Sequence, residues 1–92
     1  MALSFSEIKE LLVEVPLWHL VDDHIERVFV FESFPLAIEF VTIVSEIAEQ
    51  EGHHPDIDIR YTRVTLKLVT HDAGGLTRKD FEVAKRVDGV FC

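Results

Sequence analysis

The segment DIDIRYTRVTLKL, residues 56–68, decides the fold class of this chain. Apolar and polar residues alternate strictly over 56–61 and again over 63–68, which is the period-two pattern of strands that bury one face. Because only a short link around Thr62 separates the two runs, we expect them to pair as antiparallel neighbours. The link contains no Asn-Gly or Asp-Gly dipeptide, so its turn type and the strand register stay open.

The sequence before this hairpin predicts a long helix and an earlier pair of strands. Ser33 is placed to cap the helix, Pro35 fits its first turn, and Gly52 stops it. Its apolar stripe is formed by Phe34, Ala37, Ile38, Val41, Val44, Ile47 and Ala48. An apolar piece at 18–21, a turn at 22–23 and a β-branched and aromatic run at 25–31 predict the strands. Since the alternation of 25–31 is imperfect, we expect both of its faces to be partly covered.

Shorter helices are predicted at both ends of the chain. Ser4 and Glu7 have the spacing of a capping box, and the helix that follows should end at Pro16. Its apolar face is formed by Ile8, Leu11, Leu12 and Val15. Thr77 is placed to cap a third helix with Asp80 at its third position. The order α-β-β-α-β-β-α predicts an α+β domain over residues 1–92, with a single four-stranded antiparallel sheet and three helices packed on one face.

The composition disfavours several classes of function. Seventeen acidic against nine basic residues give a net charge of −8, which repels polyanions, so direct binding to nucleic acid or to an anionic membrane is not expected. The sequence shows neither a secretory leader pattern nor an apolar run of about 18 residues. We therefore expect neither secretion nor a membrane span. Cys92 is the single cysteine, which argues against an internal disulfide and a thiolate-rich zinc site and favours a reducing, cytoplasmic setting.

Most of the unusual chemistry lies between Glu49 and Asp80. His53 and His54 are adjacent in a loop, and His71 ends an apolar run next to a glycine pair. Imidazole takes up and releases protons near neutrality, so three histidines in one region indicate proton transfer. Each residue also has an ordinary alternative: a loop histidine, a polar strand end, a helix-start carboxylate for Asp80, and an exposed helix position for Glu49.

Two aromatic residues and a metal site are the remaining candidates. The ordinary interpretation of Tyr61 is a half-buried sheet residue. Trp18 is interpreted either as a core residue or as an aromatic face that stacks on a flat heterocycle. Three histidines and a glutamate could hold Zn²⁺, but no His-x-x-x-His spacing is present, so we treat a metal as the secondary reading. The chain also lacks a glycine-rich phosphate loop and a Gly-x-Ser-x-Gly nucleophile motif.

Taken together, the pattern Glu49-x-x-x-His53-His54-Pro55, followed by Tyr61, His71 and Asp80, closely resembles the signature of the pterin-4a-carbinolamine dehydratases. The passage from Thr70 through the glycine pair to Asp80 also looks like the strand-to-helix passage of that family. The signature itself covers about a third of the chain. The first third departs from the family, because residues 16–19 read Pro-Leu-Trp-His where the family has a Gly-Trp pair.

The resemblance implies a lyase that dehydrates 4a-hydroxytetrahydrobiopterin to quinonoid dihydropterin and water during tetrahydrobiopterin recycling, with no cofactor and no metal. By motif position, it assigns catalysis to His53, His54 and His71. It assigns substrate-binding or orienting roles to Glu49, Asp80, Tyr61 and Trp18. Among these, Asp80 would orient a histidine from behind, and Glu49 would hydrogen-bond the pterin or tune a neighbouring histidine. The family also implies a homodimer or homotetramer. A second reading is an oligomeric interaction module that serves as a dimerisation cofactor of a transcription factor without essential catalysis.

Overall fold

The structure is a computed structural model that describes residues 1–91, so Cys92 lies outside the described residues. The helices are α1 (Phe5–Leu12), α2 (Phe34–Glu51) and α3 (Arg78–Phe91). The strands are β1 (His19–Val21), β2 (His24–Val30), β3 (Asp56–Arg60) and β4 (Arg63–Leu68), and a 3₁₀ turn spans His71–Ala73. The sheet has the order β1-β2-β4-β3 with every neighbouring pair antiparallel. The predicted α+β architecture and element order are confirmed.

The hairpin of β3 and β4 forms where the alternation predicts it, with a turn one residue earlier than expected. Of these two strands, only β4 buries its apolar residues within residues 1–91, because the isoleucines of the edge strand β3 stay exposed. Arg60 pairs with Arg63, which leaves Tyr61 and Thr62 as a two-residue turn. Tyr61 has a positive φ of 55° and is 74% exposed, so its prediction as the end of a strand and a half-buried sheet residue is wrong. A tight hairpin requires left-handed backbone in its turn, and this requirement overrides the poor fit of tyrosine to that conformation.

One face of the sheet carries the core. Its fully or almost fully buried residues are Ile25, Phe29, Val64, Leu66 and Leu68, and residues of all three helices pack against the same cluster. On the opposite face, Val28 and Val30 of β2 are exposed. The expectation that both faces of this strand are partly covered is therefore wrong, because the helices all lie on one side and nothing in residues 1–91 covers the other.

Helix α2 begins and ends at the predicted caps but turns a slightly different stripe to the sheet. The Leu36 amide donates to the Ser33 hydroxyl at 3.3 Å, and Gly52 ends the helix. Phe40 is buried, whereas Phe34 and Ile38, which were predicted on the apolar stripe, are exposed. The other buried residues of α2 are Ala37, Val44, Ile47 and Ala48. The helix therefore faces the core along the row that contains Phe40.

Helix α1 is capped as predicted but is shorter. The Ser4 hydroxyl accepts from the Glu7 amide at 3.2 Å, and the Glu7 carboxylate accepts from the Ser4 amide at 2.9 Å. The helix ends at Leu12, before the predicted stop at Pro16, and turns carry Val15 into the core. Ahead of α1, the Leu3 amide donates to the Leu76 carbonyl at 2.8 Å. None of the helices in residues 1–91 combines the length and the apolar composition that a membrane crossing requires.

Candidate active site

The two adjacent histidines are positioned by the end of α2. Gly52 adopts the left-handed conformation with φ of 64°, which a residue with a side chain would adopt only at a cost. Beyond it, the His53 amide donates to the Ala48 carbonyl at 3.0 Å, so the chain turns back over the last turn of the helix. Buried Pro55 then leads into β3. The end of a long, well-packed helix therefore sets the backbone positions of His53 and His54.

His53 is held by a buried carboxylate. Its Nε2 lies 2.5 Å from Oδ1 of Asp80, and the His53 side chain is 12% exposed while that of Asp80 is 0% exposed. The second carboxylate oxygen, Oδ2, accepts from the Thr70 hydroxyl at 2.8 Å and from the Thr77 amide at 2.9 Å. A carboxylate only accepts hydrogen bonds, so His53 donates through Nε2–H and the proton-free nitrogen of its neutral ring is Nδ1.

His54 has a carboxylate partner of a different kind. Its Nε2 lies 2.5 Å from Oε2 of Glu49, which is in the last turn of α2. The His54 and Glu49 side chains are 60% and 77% exposed. Water and salt screen a pair this exposed, so the contact guides the ring of His54 without locking it in place.

His71 is presented by a short loop after β4. The Thr70 amide donates to the Gly75 carbonyl at 3.1 Å and the Gly75 amide donates back to the Thr70 carbonyl at 3.3 Å, which closes the loop at its base. Within it, the Gly74 amide donates to the His71 carbonyl at 3.0 Å, with Gly74 at a φ of 76°. The His71 ring is exposed, and no side chain in residues 1–91 hydrogen-bonds it.

The N-terminal residues support this loop from outside. A methyl group added at Gly75 would lie 3.3 Å from the side-chain carbon of Ala2, which is tighter than ordinary van der Waals contact. The contact sits beside the hydrogen bond between Leu3 and Leu76. Residues 2–3 therefore pack directly on the base of the loop that carries His71.

The three histidines line one cavity of about 230 Å³. Its other lining residues are Gly52, Val69, Thr70 and Asp72. A second cavity of about 480 Å³ shares Thr70 and Asp72 with the first and continues past Ala73 to the first residues of α3, including Arg78 and Lys79. Ligand sites typically have about 300–1,000 Å³, so the first cavity alone is smaller than a typical site and the adjoining second cavity lies within that range.

The structure does not bring the two aromatic candidates to this cavity. Tyr61 lies in the turn at the far end of β3 from His54, and the five residues of β3 between them alone span about 17 Å. Trp18 is buried in the core, where its Nε1 donates to Asp88 at 2.8 Å and its ring packs edge-on against Phe29. Their predicted substrate contacts therefore have no support within one chain.

Thr70 was not predicted as a functional residue from the sequence. Its hydroxyl donates to the Asp80 carboxylate that holds His53, and its backbone closes the loop that carries His71. Its sequence signals are its place directly before His71 and at the start of the passage to Asp80 that looks like the one in the family, and neither predicts a role for its hydroxyl. Thr77 was predicted to cap α3. Its amide donates to the Asp80 carboxylate, whereas its hydroxyl contacts the hydroxyl of Thr70, at 2.8 Å. Within residues 1–91, no three His, Cys, Asp or Glu side chains are grouped closely enough to hold a metal ion. The absence of a metal from the reaction stays a prediction.

Comparison with known proteins places this chain in a family. The profile for pterin 4 alpha carbinolamine dehydratase matches residues 1–90. The chain belongs to the pterin-4-alpha-carbinolamine dehydratase family. It is 56% identical over 88 residues to a candidate dehydratase of this type from Chloroflexus aurantiacus, with 96% of this chain and 95% of that protein covered. A similar relative from Acidobacterium capsulatum is 54% identical over 88 residues, with 96% of each chain covered.

Solved structures of pterin dehydratase relatives share the fold. A transcriptional coactivator/pterin dehydratase from Brucella melitensis superimposes with a TM-score of 0.95 at 32% identity, and the match covers 100% of both chains. A pterin dehydratase-like protein identified as a RuBisCO assembly factor in the alpha-carboxysome has a TM-score of 0.63 at 23% identity, over 78% of this chain and 83% of the other. The second match shows only that the fold is shared.

Proposed function

We propose that this protein dehydrates a 4a-hydroxytetrahydropterin, such as 4a-hydroxytetrahydrobiopterin, to the quinonoid dihydropterin and water. The observation that carries the proposal is the cavity in which His53, His54 and His71 meet, with a buried carboxylate behind His53. Membership of the pterin-4-alpha-carbinolamine dehydratase family supports the substrate class. We further propose that the reaction uses no metal or cofactor, occurs in the cytoplasm and serves tetrahydrobiopterin recycling.

The chemistry requires one acid and one base on the same bicyclic ring. The bond from C4a to the hydroxyl oxygen breaks, and an acid supplies the proton with which that oxygen leaves as water. The lone pair of the neighbouring N5 forms a double bond to C4a, and a base removes the proton of N5. Protonated and neutral imidazoles can fill these two roles near neutral pH, and each properly placed group contributes about 10²- to 10⁴-fold in rate.

We assign the base to His53. Its Nε2–H is directed at Asp80, which leaves Nδ1 with the lone pair that takes the proton. When the ring becomes positively charged, the carboxylate 2.5 Å away stabilises it, in the way that a buried acid supports a catalytic histidine in other enzymes. Because Asp80 is fully buried and His53 is largely so, water screens this interaction much less than it would screen the same pair at the surface.

We assign the acid to His71 and an assisting role to His54. His71 is exposed and has no hydrogen-bonding side chain within residues 1–91, so solvent can recharge its ring between turnovers. His54 shares the cavity, and its link to Glu49 is exposed, so we expect the pair to bind and orient the pterin. A Glu49→Gln change should therefore have a much smaller effect on the rate than a change at Asp80.

The test is a stopped-flow spectroscopic assay of quinonoid dihydropterin formation from a freshly generated 4a-hydroxytetrahydropterin. His53→Ala and His71→Ala should each lower kcat/KM by about 10²- to 10⁴-fold. His19→Ala is the matched control, since this histidine is exposed on β1 outside the cavity, and its rate should equal that of the wild type. Wild-type rates in both site variants would refute the assignment, and an inactive wild type would refute the proposed activity.

We also propose that the chain forms a homodimer or homotetramer through the edge strand β3. Ile57 and Ile59 are exposed although their partners in β4 are fully buried, so the helices leave this edge of the core face open. A second copy paired antiparallel about Asp58 would set Ile57 opposite Ile59, and Asp56 opposite Arg60, in both directions. This arrangement is self-complementary in apolar contact and in charge, apart from the two Asp58 residues at its centre.

Light scattering coupled to size exclusion tests this assembly. Wild-type protein should elute as a dimer or tetramer, and Ile59→Lys, which adds charge to the edge, should shift it toward monomer. Val28→Lys is the control, because Val28 is equally apolar and exposed but lies away from β3. A monomeric wild type, or dissociation by both variants alike, would contradict assembly through β3.

The second candidate function is an interaction module that acts as a dimerisation cofactor of a transcription factor. The open edge of β3 favours it, and the related Brucella protein carries the description of a transcriptional coactivator as well as a pterin dehydratase. A double variant, His53→Ala with His71→Ala, separates the two readings when it is expressed in cells that lack the native gene. Full rescue of the cells by this variant would favour the module, and loss of rescue would favour the enzyme.

A further inference from the structure

Within residues 1–91, Thr70 contacts the supports of both proposed catalytic imidazoles, the Asp80 carboxylate beside His53 and the loop that carries His71. Its backbone forms the base of the loop that carries His71, through the paired hydrogen bonds with Gly75 and through its carbonyl, which accepts from the Ala73 amide at 3.0 Å. Its side chain reaches in the other direction, to the buried carboxylate that holds His53. A shift of Thr70 would therefore displace the loop and the carboxylate together.

The direction of each hydrogen bond in this network follows from the chemistry of its members. The Asp80 carboxylate only accepts hydrogen bonds, so the Thr70 hydroxyl donates its single proton to Oδ2, at 2.8 Å. The 2.8 Å contact between the Thr70 and Thr77 hydroxyls must then run from Thr77 to Thr70. Thr70 thus accepts one hydrogen bond and donates one, and neither hydroxyl is free to rotate without breaking a contact.

We infer that Thr70 is a positioning residue that sets the placement of His53 relative to His71. The inference rests on the proposed function for its catalytic meaning, although the geometry of His53 can be measured separately. Asp80 accepts three hydrogen bonds, from His53, from the Thr70 hydroxyl and from the Thr77 amide. The two that meet at Oδ2 fix the carboxylate plane, and Oδ1 then fixes the tautomer and the ring angle of His53.

Two substitutions separate the hydroxyl from the shape of Thr70. Thr70→Val keeps the volume and the backbone contacts but removes the donor to Oδ2 and the acceptor for Thr77, whereas Thr70→Ser keeps the hydroxyl. In metal sites, removal of a group that orients a ligating histidine typically costs about 10- to 100-fold, and we expect a loss of that size in kcat/KM for Thr70→Val and near wild-type activity for Thr70→Ser. Thr77→Val should lose less, because the donor that Thr77 gives to Asp80 is its backbone amide.

The experiment combines the dehydration assay with ¹⁵N NMR of the histidine rings, which reports the protonated nitrogen directly. Thr65→Val is the matched control: it makes the same change on β4, at a residue that lines neither cavity of the site. The expected result is a lower fraction of Nε2–H at His53 in Thr70→Val, restored in Thr70→Ser and unchanged in Thr65→Val. Thermal unfolding of each variant identifies any loss that comes from folding.

The NMR readout keeps this inference distinct from the proposed enzyme. If wild-type protein does not dehydrate the pterin, the proposed function fails, but the His53 tautomer still tests the role of Thr70. The inference is overturned if folded Thr70→Val keeps both the wild-type tautomer and a kcat/KM within about tenfold of wild type. It is also overturned if Thr70→Ser fails as badly as Thr70→Val, because the hydroxyl would then not be the group that matters.

Discussion

Replacing Asp80 with asparagine tests the site most sharply, because the hydrogen bonds around the carboxylate dictate how the amide must sit. Oδ2 receives two donors, from Thr70 and from the Thr77 amide, so the side-chain oxygen of the introduced asparagine is best placed there. Its NH₂ group then replaces Oδ1 and points at Nε2 of His53. That nitrogen must accept instead of donate, so the ring proton moves to Nδ1 and the proposed base loses its lone pair.

The expected magnitudes follow from this geometry. Loss of the base should reduce kcat/KM by about 10²- to 10⁴-fold. Three charge-assisted hydrogen bonds become weaker neutral ones, which should lower the free energy of unfolding by about 1–3 kcal/mol. A domain of this size typically has a free energy of unfolding of about 5–15 kcal/mol, so the variant should remain folded and its kinetics interpretable. Stopped-flow rates, urea unfolding and ¹⁵N NMR of His53 measure the three effects.

The control is Asp23→Asn, which changes a carboxylate near another histidine without touching the site. Asp23 lies in the turn between β1 and β2, with Oδ1 3.5 Å from Nδ1 of His24, and is exposed. We expect its rate to match that of the wild type. The reasoning about Asp80 fails if Asp80→Asn stays within about tenfold of the wild-type rate. It fails equally if the His53 ring in that variant still carries its proton on Nε2.

Three further predictions concern stability. Tyr61→Asn should raise the free energy of unfolding by about 1 kcal/mol, since asparagine tolerates the positive φ of this turn; a lower urea midpoint would contradict this. Asp88→Ala should cost about 3 kcal/mol, because it leaves the largely buried guanidinium of Arg27, 2.6 Å away, unpaired; a loss under about 1 kcal/mol in urea unfolding would contradict this. Hydrogen bonds from the Ser4 amide, and to a smaller extent from the Ser4 side chain, hold the pKa of Glu7 below its ordinary 4.5. The Glu7 carboxylate therefore stabilises the fold above that pH, and this stabilisation is lost as pH falls through the lowered pKa. The urea midpoints of wild type and Glu7→Gln should therefore differ at about pH 7 and converge at about pH 2, and a constant difference would contradict this.

The sequence predicts the elements well and their contacts less well, for physical reasons that individual residues show. Alternation over residues 56–68 and the caps at Ser33 and Gly52 depend on local chemistry, and they are confirmed. The apolar stripe of α2 is wide, so periodicity alone could not decide that Phe40 faces the sheet and Phe34 faces solvent. The turn at Tyr61 was misplaced because the demands of hairpin closure override the preference of one residue.

The site follows a similar division. The ordered spacing of the histidines and Asp80 led to the family and to the expectation that Asp80 orients a histidine, and the structure places Asp80 against His53. Thr70 could not be found in this way, since its role depends on a loop closing back on itself and on a hydroxyl that meets another element. Burial likewise decides the place of Trp18, which spacing alone cannot predict.

The close contact between Ala2 and Gly75 links two positions that are far apart in the sequence. A methyl group added at Gly75 would lie 3.3 Å from the Ala2 side chain, so growth at Gly75 requires residue 2 to shift by a few tenths of an ångström. Across relatives, the two positions should therefore vary together, with a bulky residue at one compensated by a small residue at the other. The extreme N-terminus would then evolve under the same constraint as the histidine loop on which it packs.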